Sequence, residues 1–199
     1  MDNVFALEVQ DIDSKSAVVR LNQFEMMTAY LFGNWDLVIK GLSFMKKNEK
    51  TLTGIYPTEY THVWTAICYY DAYMECGDHK FKREGQRVHR KVKKWADSGT
   101  QILVAPNLLL IAISNLCSKR VSLLQIESNF EASIAACIEA ECSIFEALAN
   151  ERFAKFLYVT GSNRRKKGAE YHRRAIEIYR KWGAIKKATW LENVSYYTT

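Results

Sequence analysis

The sequence predicts an all-α protein, an α-solenoid of about four antiparallel helical hairpins. Only 2 of its 199 residues are proline and 9 are glycine, so few positions interrupt regular structure. Turn signals recur along the chain at intervals of about 44, 41 and 43 residues. Each signal lies between two amphipathic runs that are long enough to form helices. The signals are Gly33-Asn34, Gly77-Asp78, Ser118-Lys119 and Gly161-Ser162.

The boundaries of the hairpins follow from these signals. Residues 1–18 have mixed polarity and form a predicted lead-in segment, while residues 19–199 form a predicted single helical-repeat domain. A short helix after Gly183 is predicted to cap the C-terminal end. The four hairpins are predicted near residues 19–50, 57–98, 102–142 and 144–183.

The second helices of the hairpins show the helical pattern most directly. In residues 79–95 the apolar residues and one glycine are spaced alternately by four and three residues, which places them on one helix face. They are Phe81, Gly85, Val88, Val92 and Trp95. Residues 171–185 repeat this spacing. Trp95 and Trp182 occupy matched places in the two runs, so both are predicted to be mostly buried. The first helices are apolar on most sides, as expected for helices packed between neighbours.

The formal net charge of +6 is unevenly distributed along the chain. Residues 79–95 hold eight Lys or Arg against one Glu, and residues 163–187 hold ten against two Glu. Between Val121 and Glu151 there are six Glu and no Lys or Arg. Basic helices are typical of nucleic-acid-binding proteins, but a solenoid whose neighbouring hairpins complement each other in charge has the same pattern. Both interpretations remain open at this point.

Two groups of residues are candidate interaction sites. Tyr and Trp concentrate where proteins bind one another, so an aromatic run on the first helices is a candidate groove lining. Packing in the core is the alternative explanation for these aromatic residues, and a solvated helix face or turn is the alternative for the basic ones. The candidate groove residues are Tyr60, Trp64, Tyr73 and Tyr158, and the candidate basic surface consists of Lys91, Lys94, Arg164, Arg165, Arg173 and Arg174.

The sequence lacks the motifs of common enzyme and cofactor sites. It contains neither the H-E-x-x-H of zinc hydrolases nor the G-x-x-x-x-G-K-[ST] of phosphate loops. Its 5 cysteines have no C-x-x-C spacing, which favours reduced thiols. We therefore expect a protein that is not an enzyme and binds no metal or cofactor. Without a membrane-length apolar run or a signal-peptide pattern, we expect a cytoplasmic location, with the nucleus as the alternative.

Two parts of the chain resemble proteins of the tetratricopeptide class. Residues 33–38, Gly-Asn-Trp-Asp-Leu-Val, resemble the turn and second-helix start of a tetratricopeptide repeat. Residues 146–151 (Glu-Ala-Leu-Ala-Asn-Glu) and 179–184 (Tyr-Arg-Lys-Trp-Gly-Ala) resemble the tetratricopeptide-like helical region of large multi-sensor signalling proteins. In those proteins the region lies between an ATPase module and sensor plus histidine-kinase modules. The likeness spans roughly residues 20–192 and implies a helical-repeat scaffold, without any of the neighbouring activities.

The predicted function is that of a non-enzymatic protein–protein interaction or scaffold module, as a regulatory element of a signalling protein. Its partner is expected to be a protein or peptide bound in the groove. The alternative function is binding of nucleic acid or an acidic partner through the basic helices at 79–95 and 163–187. Because an acidic stretch lies between these helices, we expect only weak nucleic-acid binding that is lost near physiological salt.

Overall fold

The computed structural model describes residues 12–52 and 58–194, and these residues form helices and turns with no strand. The predicted all-α class is therefore confirmed. Residues 1–11 of the predicted lead-in lie outside the described residues, and the first helix begins at Ile12, ahead of the predicted hairpin start at residue 19. The helices are α1 (Ile12–Leu31), α2 (Trp35–Lys47), α3 (Thr58–Cys76), α4 (His79–Asp97), α5 (Val104–Leu116), α6 (Leu123–Glu139), α7 (Ser143–Val159), α8 (Arg165–Lys181) and α9 (Ile185–Asn193).

The chain divides into two compact units, Met1–Lys94 and Trp95–Thr199, and the division falls near the end of α4. In the N-terminal unit, α1 packs against α2 and α3, and α2 also packs against α3. In the C-terminal unit, α5 packs against α6 and α7, and each later helix packs against the one before it. Within each unit, helices that are neighbours in sequence are therefore neighbours in space.

Glycine residues end the first helix of two hairpins. Gly33 and Gly77 have φ angles of 73° and 74°, a region that a residue with a Cβ atom rarely adopts. Asn34 follows the first of these turns, and its side chain accepts a hydrogen bond from the backbone N–H of Leu37 at 3.3 Å. This N-cap satisfies one of the free N–H groups at the start of α2. The recurring turn signals thus correspond to equivalent backbone turns in the first two hairpins.

Two buried glycines, Gly41 on α2 and Gly85 on α4, lie where the second helix of a hairpin meets the first. A Cβ atom at Gly41 would lie 2.7 Å from the Cβ of Met26, and one at Gly85 would lie 3.1 Å from the ring of Tyr70. We expect Gly41→Ala to lower the free energy of unfolding by about 1–3 kcal/mol, because overpacking outweighs the helix propensity gained. Urea denaturation measures this change, with exposed Gln86→Ala as the control. A more stable Gly41→Ala protein would contradict the close approach.

The predicted burial of both tryptophans is wrong for Trp182, which is 50% exposed. Trp95 is half-buried, so the prediction is only partly met there. The buried aromatic residue of α8 is Tyr179, which is fully buried and packs in one apolar cluster with Ala147 and Leu191. Trp182 lies just beyond the last residue of α8. The matched spacing therefore predicted burial for Trp182, whereas the aromatic residue that is buried is Tyr179.

Candidate functional site

A small cleft with a volume of about 20 Å³, partly open to solvent, lies in the N-terminal unit between α2, α3 and α4. The polar side chains that α3 contributes are each less than a tenth exposed, including the surface that faces this cleft. Apolar and charged side chains come from α2, from the turn after it and from α4. The cleft is lined by Thr61, His62, Thr65 and Tyr69 of α3, by the apolar Met45 and Val88, and by the charged Lys46, Glu49 and Arg87.

Hydrogen bonds hold the α3 side of the cleft in place. The hydroxyl of Thr61 donates to Oε1 of Gln23 on α1 at 2.9 Å, and the hydroxyl of Thr65 donates to the carbonyl of Thr61 at 2.7 Å. The hydroxyl of Tyr69 donates to the carbonyl of Leu42 on α2 at 3.4 Å. Burial raises the pKa of the Tyr69 hydroxyl, so this group stays protonated. Positions 61, 65 and 69 are four residues apart and share one helix face.

Five charged side chains meet beside the cleft. Arg87 bridges two carboxylates, because its Nη1 donates to Glu49 at 2.9 Å and its Nε donates to Glu84 at 2.8 Å. Lys91 also donates to Glu49, and Lys46 donates to Glu84 at 2.9 Å. We call these five residues the Arg87 cluster. With three cations and two carboxylates, the cluster carries an excess of positive charge.

The cations of the Arg87 cluster lower the pKa of both carboxyl groups. The hydrogen bond from Arg87, reinforced by that from Lys91, lowers the pKa of Glu49 to about 2 despite the opposing effect of partial burial. Partial burial also acts to raise the pKa of Glu84, but the hydrogen bonds from Arg87 and Lys46 lower it. Both carboxylates therefore stay ionised at neutral pH.

Acid is expected to weaken the Arg87 cluster through Glu49. Because the pKa of Glu49 is lowered from 4.5 to about 2, its stabilising effect is fully present above pH 4.5 and is lost as the pH falls toward 2. We expect Glu49→Gln to lower the free energy of unfolding by about 1–2 kcal/mol at pH 7 and by much less at pH 2. Urea denaturation of the wild type and the variant across this pH range measures the difference in their free energies of unfolding. A difference that grows as the pH falls would contradict the lowered pKa of Glu49.

None of the four candidate groove residues lines this cleft. Trp64 and Tyr158 are buried, at 4% and 8% exposure. The ring of Trp64 lies edge-on to Tyr30 of α1, with the ring centroids 6.0 Å apart. Tyr60 and Tyr73 are half-buried on α3. Packing between helices accounts for Trp64 and Tyr158, which leaves neither ring open to a ligand.

The candidate basic residues fall into two groups. Lys91 is bonded within the Arg87 cluster, and Nε of Arg164 donates to Glu127 of α6 at 2.7 Å. Lys167, beside Arg164 at the start of α8, donates to Glu127 at 3.0 Å and to Glu131 at 2.8 Å. The start of α8 is therefore paired in charge with the acidic helix α6. The exposed members of the candidate surface are Lys94, Arg165, Arg173 and Arg174.

A second polar cluster is buried between α7, α8 and α9. Glu151 accepts a hydrogen bond from the ammonium group of Lys187 at 2.8 Å and another from the hydroxyl of Tyr179 at 2.8 Å. The Lys187 ammonium also lies 4.1 Å from the centroid of the Trp190 ring. Burial lowers the pKa of Lys187, while Glu151 partly opposes this effect. The side chains of Lys187 and Glu151 are 4% and 12% exposed, so the cluster joins the three helices rather than facing a partner.

Sequence reasoning missed the cleft. One signal was available, because Thr61, His62 and Thr65 interrupt an apolar helix, and two of them are four residues apart. The charged side of the cleft had no such signal. Glu49 and Arg87 are 38 residues apart, and no local pattern connects them.

Comparisons with protein-family models, with curated proteins and with solved structures find no match. Among the described residues, no group of three or more His, Cys, Asp or Glu is placed to hold a metal ion. Within residues 12–52 and 58–194, no helix combines the length and apolar character needed to cross a membrane.

Proposed function

We propose that this chain is a non-enzymatic protein–protein interaction module built of tetratricopeptide-like helical hairpins. In this proposal, a segment of a partner protein binds in the cleft between α2, α3 and α4. We also propose a regulatory role in a signalling protein. The resemblance of residues 146–151 and 179–184 to multi-sensor signalling proteins supports this role.

The spacing of the contacts between helices supports stacked hairpins within each unit. Side-chain hydrogen bonds between consecutive helices have sequence separations of 12 to 28 residues. Those that skip a helix recur at separations of 36 to 42 residues, close to the interval of the turn signals. In the N-terminal unit such bonds join α1 to α3 and α2 to α4. In the C-terminal unit they join α6 to α8. A stack that pairs first helices with first helices and second helices with second helices produces this spacing.

The observation that carries the proposed function is the composition of the cleft. Binding sites typically combine apolar walls with a few well-placed polar groups. Met45 and Val88 line the cleft as almost fully buried apolar residues, each 2% exposed, while Thr61 and Thr65 are held by hydrogen bonds before any ligand arrives. The volume of about 20 Å³ is too small to enclose a cofactor, so a bound peptide contacts the exposed Lys46 and the partly exposed Glu49 and Arg87 around the cleft. These preorganised polar groups, together with the charged side chains around the cleft, support peptide binding.

Peptide selection tests this function. A library of random peptides is selected on the full chain, and the affinity of each enriched peptide is measured by fluorescence anisotropy. Thr65→Phe fills the cleft, and Lys46→Glu reverses one charge beside it at an exposed position. We expect both changes to weaken binding at least tenfold, about 1.4 kcal/mol.

Exposed Thr189→Phe on α9 is the matched control, because it adds the same ring outside the cleft. It is expected to leave the affinity unchanged. Circular dichroism confirms that each variant is folded. The proposal fails if no peptide is enriched, or if the enriched peptides bind all three variants as they bind the wild type.

Nucleic-acid binding is the second candidate, favoured by the exposed basic residues of α4 and α8. The charges that pair with Glu49, Glu127 and Glu131 are not available to phosphates without breaking those contacts. We therefore expect weak binding to labelled DNA or RNA that disappears near 150 mM salt, roughly physiological ionic strength. Anisotropy titrations across salt concentrations measure it. Sub-micromolar affinity at about that salt, lost on charge reversal of Lys94, Arg165, Arg173 and Arg174, would favour this candidate instead.

A further inference from the structure

The Arg87 cluster contains an acidic side chain that occupies a basic site of the same chain. Glu49 accepts hydrogen bonds from both Arg87 and Lys91, and its side chain remains 29% exposed. It lines the cleft beside Arg87 and the apolar Val88. A carboxylate at the edge of a cleft, held by two cations, is in the position that an acidic ligand would occupy.

Glu49 also lies on a different kind of element from the cations that hold it. It begins a short 3-10 turn, Glu49–Leu52, whereas Arg87 and Lys91 lie within the long helix α4. A short 3-10 turn has poorer hydrogen-bond geometry than an α-helix and costs less to displace. Arg87 and Lys91 are thus held by a long helix, whereas Glu49 is held only by a short 3-10 turn.

The charge balance favours an incoming anion. The Arg87 cluster has three cations and two carboxylates, so Glu49 and Glu84 do not neutralise it fully. Arg87 and Lys91 remain partly exposed, with side chains 34% and 42% accessible, so an incoming carboxylate can reach both cations. A glutamate side chain of a partner presents the same carboxylate that Glu49 places on these cations.

We propose that an acidic side chain of a partner peptide binds in the cleft by replacing Glu49 on Arg87 and Lys91. This inference rests on the proposed function, because it names the ligand class of the same cleft. Glu49 acts as an internal competitor, so the free protein holds its basic site closed and binds acidic segments only weakly. No covalent step is involved.

The probe for the test is a fluorescein-labelled peptide of alternating Glu and Gly with blocked termini. A matched peptide of alternating Gln and Gly serves as the uncharged control. We expect Glu49→Gln to tighten binding of the Glu peptide about tenfold, because the internal competitor is gone. Adding Arg87→Gln to this variant is expected to abolish the gain, since the main cation of the site is then lost.

Glu131→Gln is the charge-matched control, because Glu131 is also a carboxylate bonded to a lysine but lies on α6. It is expected to leave the affinity for the Glu peptide unchanged. Equal tightening by Glu49→Gln and Glu131→Gln would overturn the inference, because net charge alone would explain it. Displacement of the peptide by millimolar sodium phosphate would also overturn it, because the site would then bind anions in general.

The failure of this inference is distinguishable from the failure of the proposed function. If Thr65→Phe blocks the selected peptides but Glu49→Gln does not tighten the Glu peptide, the cleft binds peptides by another chemistry. That result overturns the replacement of Glu49 and leaves the cleft as the binding site. If Thr65→Phe has no effect on any peptide, both proposals are wrong.

Discussion

Lys187→Met is expected to lower the free energy of unfolding by about 3–5 kcal/mol. The side chain of Lys187 is only 4% exposed and donates to Glu151 at 2.8 Å. Methionine fills a similar volume, but it leaves the buried carboxylate of Glu151 without its counter-ion. The hydroxyl of Tyr179 still donates to that carboxylate and compensates only in part. Urea denaturation followed by circular dichroism measures the loss.

Two further variants separate charge from packing. Lys186→Met changes the exposed neighbour on α9 and is expected to cost less than about 0.5 kcal/mol. The double change Glu151→Gln with Lys187→Met removes both charges, and it is expected to recover most of the lost stability. A cost below about 1 kcal/mol for Lys187→Met alone would show that the ion pair does not hold α9 in place.

Tyr179→Ala is expected to cost about 3–5 kcal/mol, whereas Trp182→Ala is expected to cost less than about 1 kcal/mol. Tyr179 is fully buried in the cluster with Ala175 and Leu191, so its removal leaves a cavity. The change also takes a hydrogen bond from Glu151. Trp182 is 50% exposed and loses little packing. Chemical denaturation measures the loss of stability in each variant. A larger loss for Trp182→Ala than for Tyr179→Ala would contradict the observed burial.

The helices and the turns that end them were predictable because their signals are local. A glycine at positive φ, as at Gly33 and Gly77, is both visible in the sequence and required by the turn. The buried face of α4 was also predictable, since Phe81, Val88 and Val92 are all buried as the spacing predicts. In each case the physical requirement lies within one helix or one turn.

The face of α8 shows where periodicity is insufficient. The predicted face ran through Tyr171, Ala175, Ile178, Trp182 and Ile185. Of these only Ala175 is fully buried, and the helix buries Ile176 and Tyr179 beside it. Apolar and aromatic residues occur on both faces of this helix, so spacing alone does not choose between them. Packing against α7 and α9 makes the choice, and those contacts are absent from a single-helix pattern.

The cleft was not predictable for a related reason. Its lining comes from three helices and a turn, and the decisive pair of Glu49 and Arg87 is 38 residues apart. The sequence-based prediction chose aromatic residues such as Trp64 as the groove lining, but Trp64 is buried in the structure. Polar residues on an apolar helix, such as Thr61 and Thr65, are better markers of a cleft than its aromatic residues.

The central claim, that a partner peptide binds between α2, α3 and α4, is tested most directly by methyl NMR. Methyl groups of Met45 and Val88, which line the cleft, are observed together with those of the exposed Met74 and Val159 as references. On titration with a peptide selected on the full chain, the largest chemical-shift changes are expected at Met45 and Val88. Larger changes at Met74 or Val159, with Met45 and Val88 unmoved, would contradict the claim.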